Sequence, residues 1–282
     1  MRYEAVEVEV RRCRDVEGVR TRAPATTANL GPGFDCAAVA LDLWNEVEVS
    51  EDGDDAPDPT HIGIRAFGLV ASPEGLSFSW TDRIPRARGL GSSAATIALG
   101  LVAGAKWSGE EFELEDLLAR GGPLEGHSDN LAACLAGGAC LTWAGRIERL
   151  ADSLPLTPVA VIPRQLVRTA EARDALPSEV PHADAAFSVA RAALLGAGVA
   201  RGDARLLAAA FEDRLHEPYR PSPLLDTIRA ELPVGAVGAT LSGSGPTVIA
   251  WAEDAEACSR ELLERFPDET VLALPVSAEG AH

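Results

Sequence analysis

The chain has 282 residues, 46% of them hydrophobic, and a formal charge of −18 from 43 acidic and 25 basic residues. That length admits one large domain or two ordinary ones, with enough apolar side chains for a substantial core. The acidity excludes two classes of partner: nucleic acid gripped through its phosphates, which needs Lys and Arg, and anionic membrane surfaces, which attract basic segments.

The five cysteines, Cys13, Cys36, Cys134, Cys140 and Cys258, are odd in number, irregular in spacing and contain no CxxC. They read as free thiols in a reducing compartment rather than a disulfide frame or a zinc site. No signal-peptide pattern opens the sequence, and no apolar run approaches the roughly 20 residues of a membrane span. A soluble cytoplasmic protein is expected.

In chain order, Val6, Val8 and Val10 alternate with Glu7 and Glu9, the period of a half-exposed strand. Residues 24–35, PATTANLGPGFD, form a loop bent by glycine and proline that carries Asn29 and Asp35 six residues apart. Such a pair suits a small polar ligand, because Asn donates and accepts while Asp accepts from an ammonium or hydroxyl; Asx bonds to their own backbone are the alternative. A strand follows at 45–49, then an acidic, proline-containing surface loop from Glu51 to Pro59 and a strand at 76–81.

The segment Pro85-Arg86-Ala87-Arg88-Gly89-Leu90-Gly91-Ser92-Ser93-Ala94-Ala95 is a glycine-rich turn opening a helix that runs to about Ala105. Glycines let the backbone approach a ligand, and a helix N-terminus favours an anion, usually phosphate. No lysine follows, so this is not the GxxxxGK[ST] loop; a plain turn before a packed helix has the same appearance. A second helix spans about 110–120, where Gly121-Gly122-Pro123 should end it. Next come Glu125, His127, Asp129 and Asn130 within six residues. A glutamate near phosphate-binding serines suits magnesium, Asp129 suits a substrate hydroxyl proton, and His127 serves equally as a structural hydrogen-bonder.

A boundary between Leu150 and Pro158 divides the chain into 1–155 and 156–282. Beyond it the pattern predicts a strand at 157–162, helices near 183–196, 203–215 and 223–231, strands at 236–241 and 247–251 around Ser242-Gly243-Ser244-Gly245-Pro246, a helix at 254–265 and a strand at 269–274. This is a split βαβ pattern. Thr169 and Arg173 share a face if their segment is helical. Arg220, after Glu217-Pro218-Tyr219, suits bidentate capture of a carboxylate, though each arginine alone also fits a surface ion pair.

Taken together, PATTANLGPGFD, GLGSSAA, EGHSDN, TAEAR, EPYR and SGSGP, in this order from about residue 20 onward, resemble the GHMP kinase superfamily and, within it, the homoserine kinases of threonine biosynthesis. The resemblance implies an α+β two-domain fold: an N-terminal αβ kinase domain of ribosomal-protein-S5-like type and a C-terminal ferredoxin-like domain. It implies transfer of the ATP γ-phosphoryl group to L-homoserine, with Mg2+, in a homodimer. Residues 85–95 would cradle the nucleotide phosphates, and Ser92, Ser93 and Glu125 would hold the metal. Asn29, Asp35, Thr169, Arg173, Arg220 and Gly243 would bind the substrate, with Asp35 on its ammonium and the two arginines on its carboxylate. Asn130, Asp129 and His127 would line the reacting end. A kinase for another small alcohol such as mevalonate, or a non-catalytic sensor of the same fold, would share most of these segments.

Overall fold

The computed structural model describes residues 18–51, 57–165 and 169–282. The strand expected over 6–10 and the centre of the acidic loop, 52–56, lie outside the described residues.

Strands β1 (Val19–Asn29) and β2 (Gly33–Ser50) form a long antiparallel hairpin. The segment read as a bent loop is therefore mostly strand. Only Leu30 to Pro32 turn, and Asn29, Leu30 and Gly31 take left-handed backbone angles in succession. Strand β3 (Ser77–Thr81) pairs with the far end of β2, and β4 (Ala139–Trp143) with its start, while β5 (Arg146–Ala151) lies against β4.

Helices α1 (Ile62–Phe67), α2 (Ser92–Ser108), α3 (Leu114–Glu125) and α4 (Asp129–Ala136) cover this sheet. In α2 every residue from Ala94 to Gly104 is buried. A helix apolar on all faces belongs inside a core, so the phosphate-loop turn is anchored at the centre of the lobe.

The expected break at Gly121-Gly122-Pro123 does not occur: α3 runs through it to Glu125. The glycine is a packing device. A Cβ at Gly121 would lie 2.7–2.9 Å from Leu101, Ile97 and Leu131, so its absence lets α3 close on α2 and α4. Pro123 sits in the last turn, and this packing overrides the local preference. Gly126 then caps the helix with φ +84°.

The second sheet has the order β7-β8-β6-β9, all antiparallel, from β6 (Thr157–Ile162), β7 (Ala236–Leu241), β8 (Val248–Ala252) and β9 (Thr270–Ala273). This is the ferredoxin-like order that the split βαβ pattern anticipated. Helices α5 (Thr169–Asp174), α6 (His182–Arg201), α7 (Ala204–Ala210), α8 (Pro223–Ala230) and α9 (Ala255–Arg265) accompany it. Trp251, fully buried on β8, stacks on Phe211 and donates to Thr240 Oγ1 at 2.9 Å. The last residues return to the first sheet, where Leu41 bridges Val276 and the Arg22 and His282 backbones exchange hydrogen bonds.

By length and composition α6 is long and apolar enough to cross a bilayer. However, its Arg191 and Asp184 pair with Glu212 and Arg214, and Ser188 is fully buried against Asp213. Among the described residues Cys36, Cys134, Cys140 and Cys258 are free thiols, and burial pushes the Cys258 thiol up to about 11, away from the reactive thiolate.

Candidate active site

A cavity of about 410 Å3 opens where the two sheets' loops meet. One wall is the N-terminus of α2. Gly91 precedes it with φ +66°, and Ala95 N–H is bonded to the Gly91 carbonyl. By helix geometry the N–H groups ahead of Ala95 have no intrahelical acceptor, and Gly89, Gly91, Ser92 and Ser93 line the cavity. The strained Ala87, φ +53°, lines it too.

The rest of the expected cradle acts elsewhere. Arg86 pairs with Asp82. Arg88 donates to the carbonyls of Pro163 (2.9 Å) and Arg164 (3.0 Å), fastening the turn to the end of β6. Leu90, Ala94 and Ala95 are core residues, and Pro85 is not part of the cavity lining.

The unbroken α3 delivers Glu125 to this turn, where its Oε2 accepts from Ser93 Oγ at 2.7 Å. Burial raises the Glu125 carboxyl above its ordinary value, opposed by the Ser93 hydrogen bond and the nearby His127. A carboxylate beside a hydroxyl, at a helix N-terminus that attracts phosphate, fits a magnesium ion brought in by a nucleotide, because magnesium keeps most of its positions for phosphate oxygens and water. Among the described residues no cluster of three or more His, Cys, Asp or Glu side chains forms a dedicated metal cage.

At the start of α4, Asp129 Oδ1 accepts from the Asn130 backbone N–H (2.7 Å) and lies 3.0 Å from His127 Nδ1. Burial works against charge on His127, but the hydrogen bond and charge of Asp129 and the charge of Glu125 outweigh it and raise its pKa. Asn130 Oδ1 accepts from the Thr26 hydroxyl at 2.7 Å, which leaves its amide N–H2 toward Asp129 and the cavity.

Opposite lie the substrate-end residues. Asn29 accepts from the Asp35 N–H and donates to the Gly243 carbonyl at 2.9 Å, tying the hairpin turn to the second lobe's glycine loop. Ser242 reinforces the junction by donating to the Gly89 carbonyl at 2.6 Å. Asp35 and Arg173 form a bidentate ion pair. Arg220, almost fully buried, lines the same wall, and burial followed by the neighbouring Arg173 lowers its pKa. Thr169 opens α5, the helix that carries Arg173.

The structure thus brings Asn29, Asp35, Arg173, Arg220, Gly243, Ser92, Ser93, Glu125, His127, Asp129 and Asn130 to one cavity. Sequence reasoning did not single out Thr26, Ser242 or the buried His216 beside Arg220. Thr26 and Ser242 sit inside motifs already noted, but their chemistry is directed at other side chains and at backbone, which spacing does not reveal.

A helix N-terminus with free N–H groups, a serine–glutamate pair and a facing set of opposite charges define an ATP-dependent small-molecule kinase. Comparison with known proteins agrees. Residues 62–138 match the GHMP kinases N terminal domain and residues 190–268 the GHMP kinases C terminal domain. Homoserine kinase of Streptomyces avermitilis is 41% identical over 85% of this chain and 87% of its own, and that of Gloeobacter violaceus is 38% identical over 93% and 97%. The crystal structure of homoserine kinase from Cytophaga hutchinsonii superposes with a TM-score of 0.84 at 26% identity, covering 95% of this chain and 98% of that one. The chain belongs to the GHMP kinase family, in its homoserine kinase branch.

Proposed function

We propose that the chain transfers the γ-phosphoryl group of ATP to the side-chain hydroxyl of L-homoserine, giving O-phospho-L-homoserine and ADP. The observation that carries this reading is the placement of Asp35, Arg173 and Arg220 on one wall of a cavity whose other wall is the α2 N-terminus. A carboxylate and two guanidiniums fit the two charged ends of an amino acid, and the anion-binding helix end fits the triphosphate. A mevalonate-type acceptor has a carboxylate but no ammonium, so it could draw Arg173 from Asp35 only by leaving that carboxylate unpaired. A non-catalytic sensor would not need Ser93 held on Glu125.

In this reading the substrate ammonium sits on Asp35 and its carboxylate on Arg173 and Arg220, with Asn29, Thr169 and Gly243 closing around it. The side-chain hydroxyl then points to Asn130. Its oxygen forms the new bond to the γ-phosphorus as the bond to the bridging oxygen of ADP breaks, and Asp129, beside the Asn130 amide, receives the proton. His127 holds Asp129 in place. Phosphoryl transfer relies chiefly on positioning and charge stabilisation, which a network of fixed amides and carboxylates supplies without a strong base. Ser92, Ser93 and Glu125 would hold Mg2+, which when bound screens and orients the phosphate oxygens.

The division at 155/156, a cytoplasmic setting and a homodimer belong to the same proposal; sedimentation velocity tests the last. The charge reading is tested by acceptor analogues. 4-Hydroxybutyrate, which lacks the ammonium, and 3-aminopropanol, which lacks the carboxylate, should each lose at least ~100-fold in kcat/KM relative to L-homoserine. Equal turnover of either analogue would overturn the assignment of Asp35 or of the arginine pair.

A further inference from the structure

We propose that His216 is the positioning residue of the substrate-carboxylate arginine: a neutral Nε2–H imidazole that fixes Arg220 to the turn of the substrate hairpin. The inference rests on the reading that Arg220 binds the substrate carboxylate.

His216 has no exposed surface and immediately precedes the short turn Glu217–Tyr219 that delivers Arg220. Its Nε2 lies 2.8 Å from the Gly31 carbonyl, which only accepts, so the proton resides on Nε2. Its Nδ1 lies 3.1 Å from Arg220 Nη1, which only donates, so Nδ1 presents its lone pair. Two partners of opposite kind therefore select one tautomer of the neutral ring.

A protonated ring would turn an N–H toward the guanidinium and lose that bond. Asp213, 3.7 Å from Nε2, favours charge on the ring, but its oxygens already accept the backbone N–H groups of Leu215, His216 and Glu217 and the Ser188 hydroxyl. The other charged group acting on the ring besides Arg220 is Asp35. Burial, partly offset by Asp213, lowers the imidazole pKa. Phe34 stacks on the ring at 5.1 Å and 24° and fixes its plane.

The remaining guanidinium contacts are long: Arg220 Nε to the Ala172 carbonyl and Nη1 to the Gly243 carbonyl, both 3.3 Å. His216 supplies the shortest of the three. It also couples the arginine to Gly31, in the left-handed run that places Asn29. A residue that holds Arg220 without touching the phosphates should govern substrate affinity and leave turnover alone.

Two measurements test this. Long-range 1H–15N NMR of the wild-type protein without substrate at pH 6.5 should show His216 neutral and protonated on Nε2. An Nδ1–H tautomer or an imidazolium would overturn the proposal. In kinetics, His216→Leu removes donor and acceptor, whereas His216→Gln carries one of each. Homoserine KM should rise at least ~10-fold in His216→Leu, with kcat and ATP KM within ~3-fold of wild type, and His216→Gln should recover most of the loss. An unchanged homoserine KM in folded His216→Leu, or a loss confined to kcat, would also overturn it. If His216→Leu does not fold, the tautomer decides. Because the tautomer is read without substrate, a wrong acceptor assignment and a wrong role for His216 give different results.

Discussion

Arg173 donates to both carboxylate oxygens of Asp35, at 2.9 and 2.8 Å, so the two groups assigned to opposite ends of the substrate neutralise each other before it arrives. A zwitterion enters by exchange: its ammonium replaces the guanidinium on Asp35, and its carboxylate replaces the carboxylate on Arg173. Asp35→Asn should raise homoserine KM ~10- to 100-fold, the loss of a charge-assisted interaction. Because both side chains are more than a third exposed, 41% and 36%, the same substitution should change folding stability by less than ~1 kcal/mol. A homoserine KM unchanged in Asp35→Asn would remove the ammonium site.

Glu125 is held by Ser93 at the phosphate end, so its loss should be felt through the metal. Glu125→Gln should lower kcat by ~10- to 1000-fold and raise the magnesium concentration for half-maximal rate, with homoserine KM near wild type. Titrating Mg2+ at saturating ATP checks this; an unaltered magnesium requirement contradicts it.

Gly91 is fixed by geometry. At φ +66° an L side chain is strained, and a Cβ there would lie 1.9 Å from Thr26 Oγ1 and 3.2 Å from Asn130 Oδ1. Gly91→Ala should displace the Thr26 hydroxyl from Asn130 and reduce kcat at least ~100-fold, since small misplacements at a reacting centre have such effects. Stopped-flow or steady-state kcat at saturating substrates is the measurement, with circular dichroism to confirm the fold.

His216 should contribute stability that mild acidification removes. The folded chain binds a proton at His216 less readily than the unfolded chain, because burial lowers the imidazole pKa from 6.5. The contribution is complete above that value and is lost as pH falls below it toward the folded pKa. His61, lowered mainly by burial, acts in the same direction. His127, whose pKa is raised, acts the opposite way, so the test is a difference: in urea titrations between pH 7.5 and 5.0 the midpoint should decline with acid more steeply in wild type than in His216→Gln. Identical slopes would contradict the burial of a neutral His216.

Much of this was legible in the sequence because local chemistry and global fold agree. The strands at 157–162 and 236–241 are apolar runs bounded by turn signals, and the structure has them at those residues. The glycine turn before α2, and Glu125 to Asn130, carry their chemistry in contiguous residues. The failures have physical causes. Gly121-Gly122-Pro123 reads as a breaker because its helical role depends on Leu101, Ile97 and Leu131, which lie on the neighbouring helices α2 and α4. Residues 24–35 read as a loop because turn formers dominate them, yet residues 24–29 pair with β2, which itself begins at Gly33. The pairing of Asp35 with Arg173 and the contact of His216 with Gly31 span 138 and 185 residues, and no local pattern encodes them.

The measurement that bears most directly on the whole account is ADP release by the purified chain with Mg-ATP, comparing L-homoserine with mevalonate, L-serine, L-threonine and no acceptor. The account predicts rapid release with L-homoserine, matched mole for mole by O-phospho-L-homoserine, and near-background rates with the others. Preferential turnover of mevalonate, or no turnover with any acceptor by protein that still binds ATP, would contradict it.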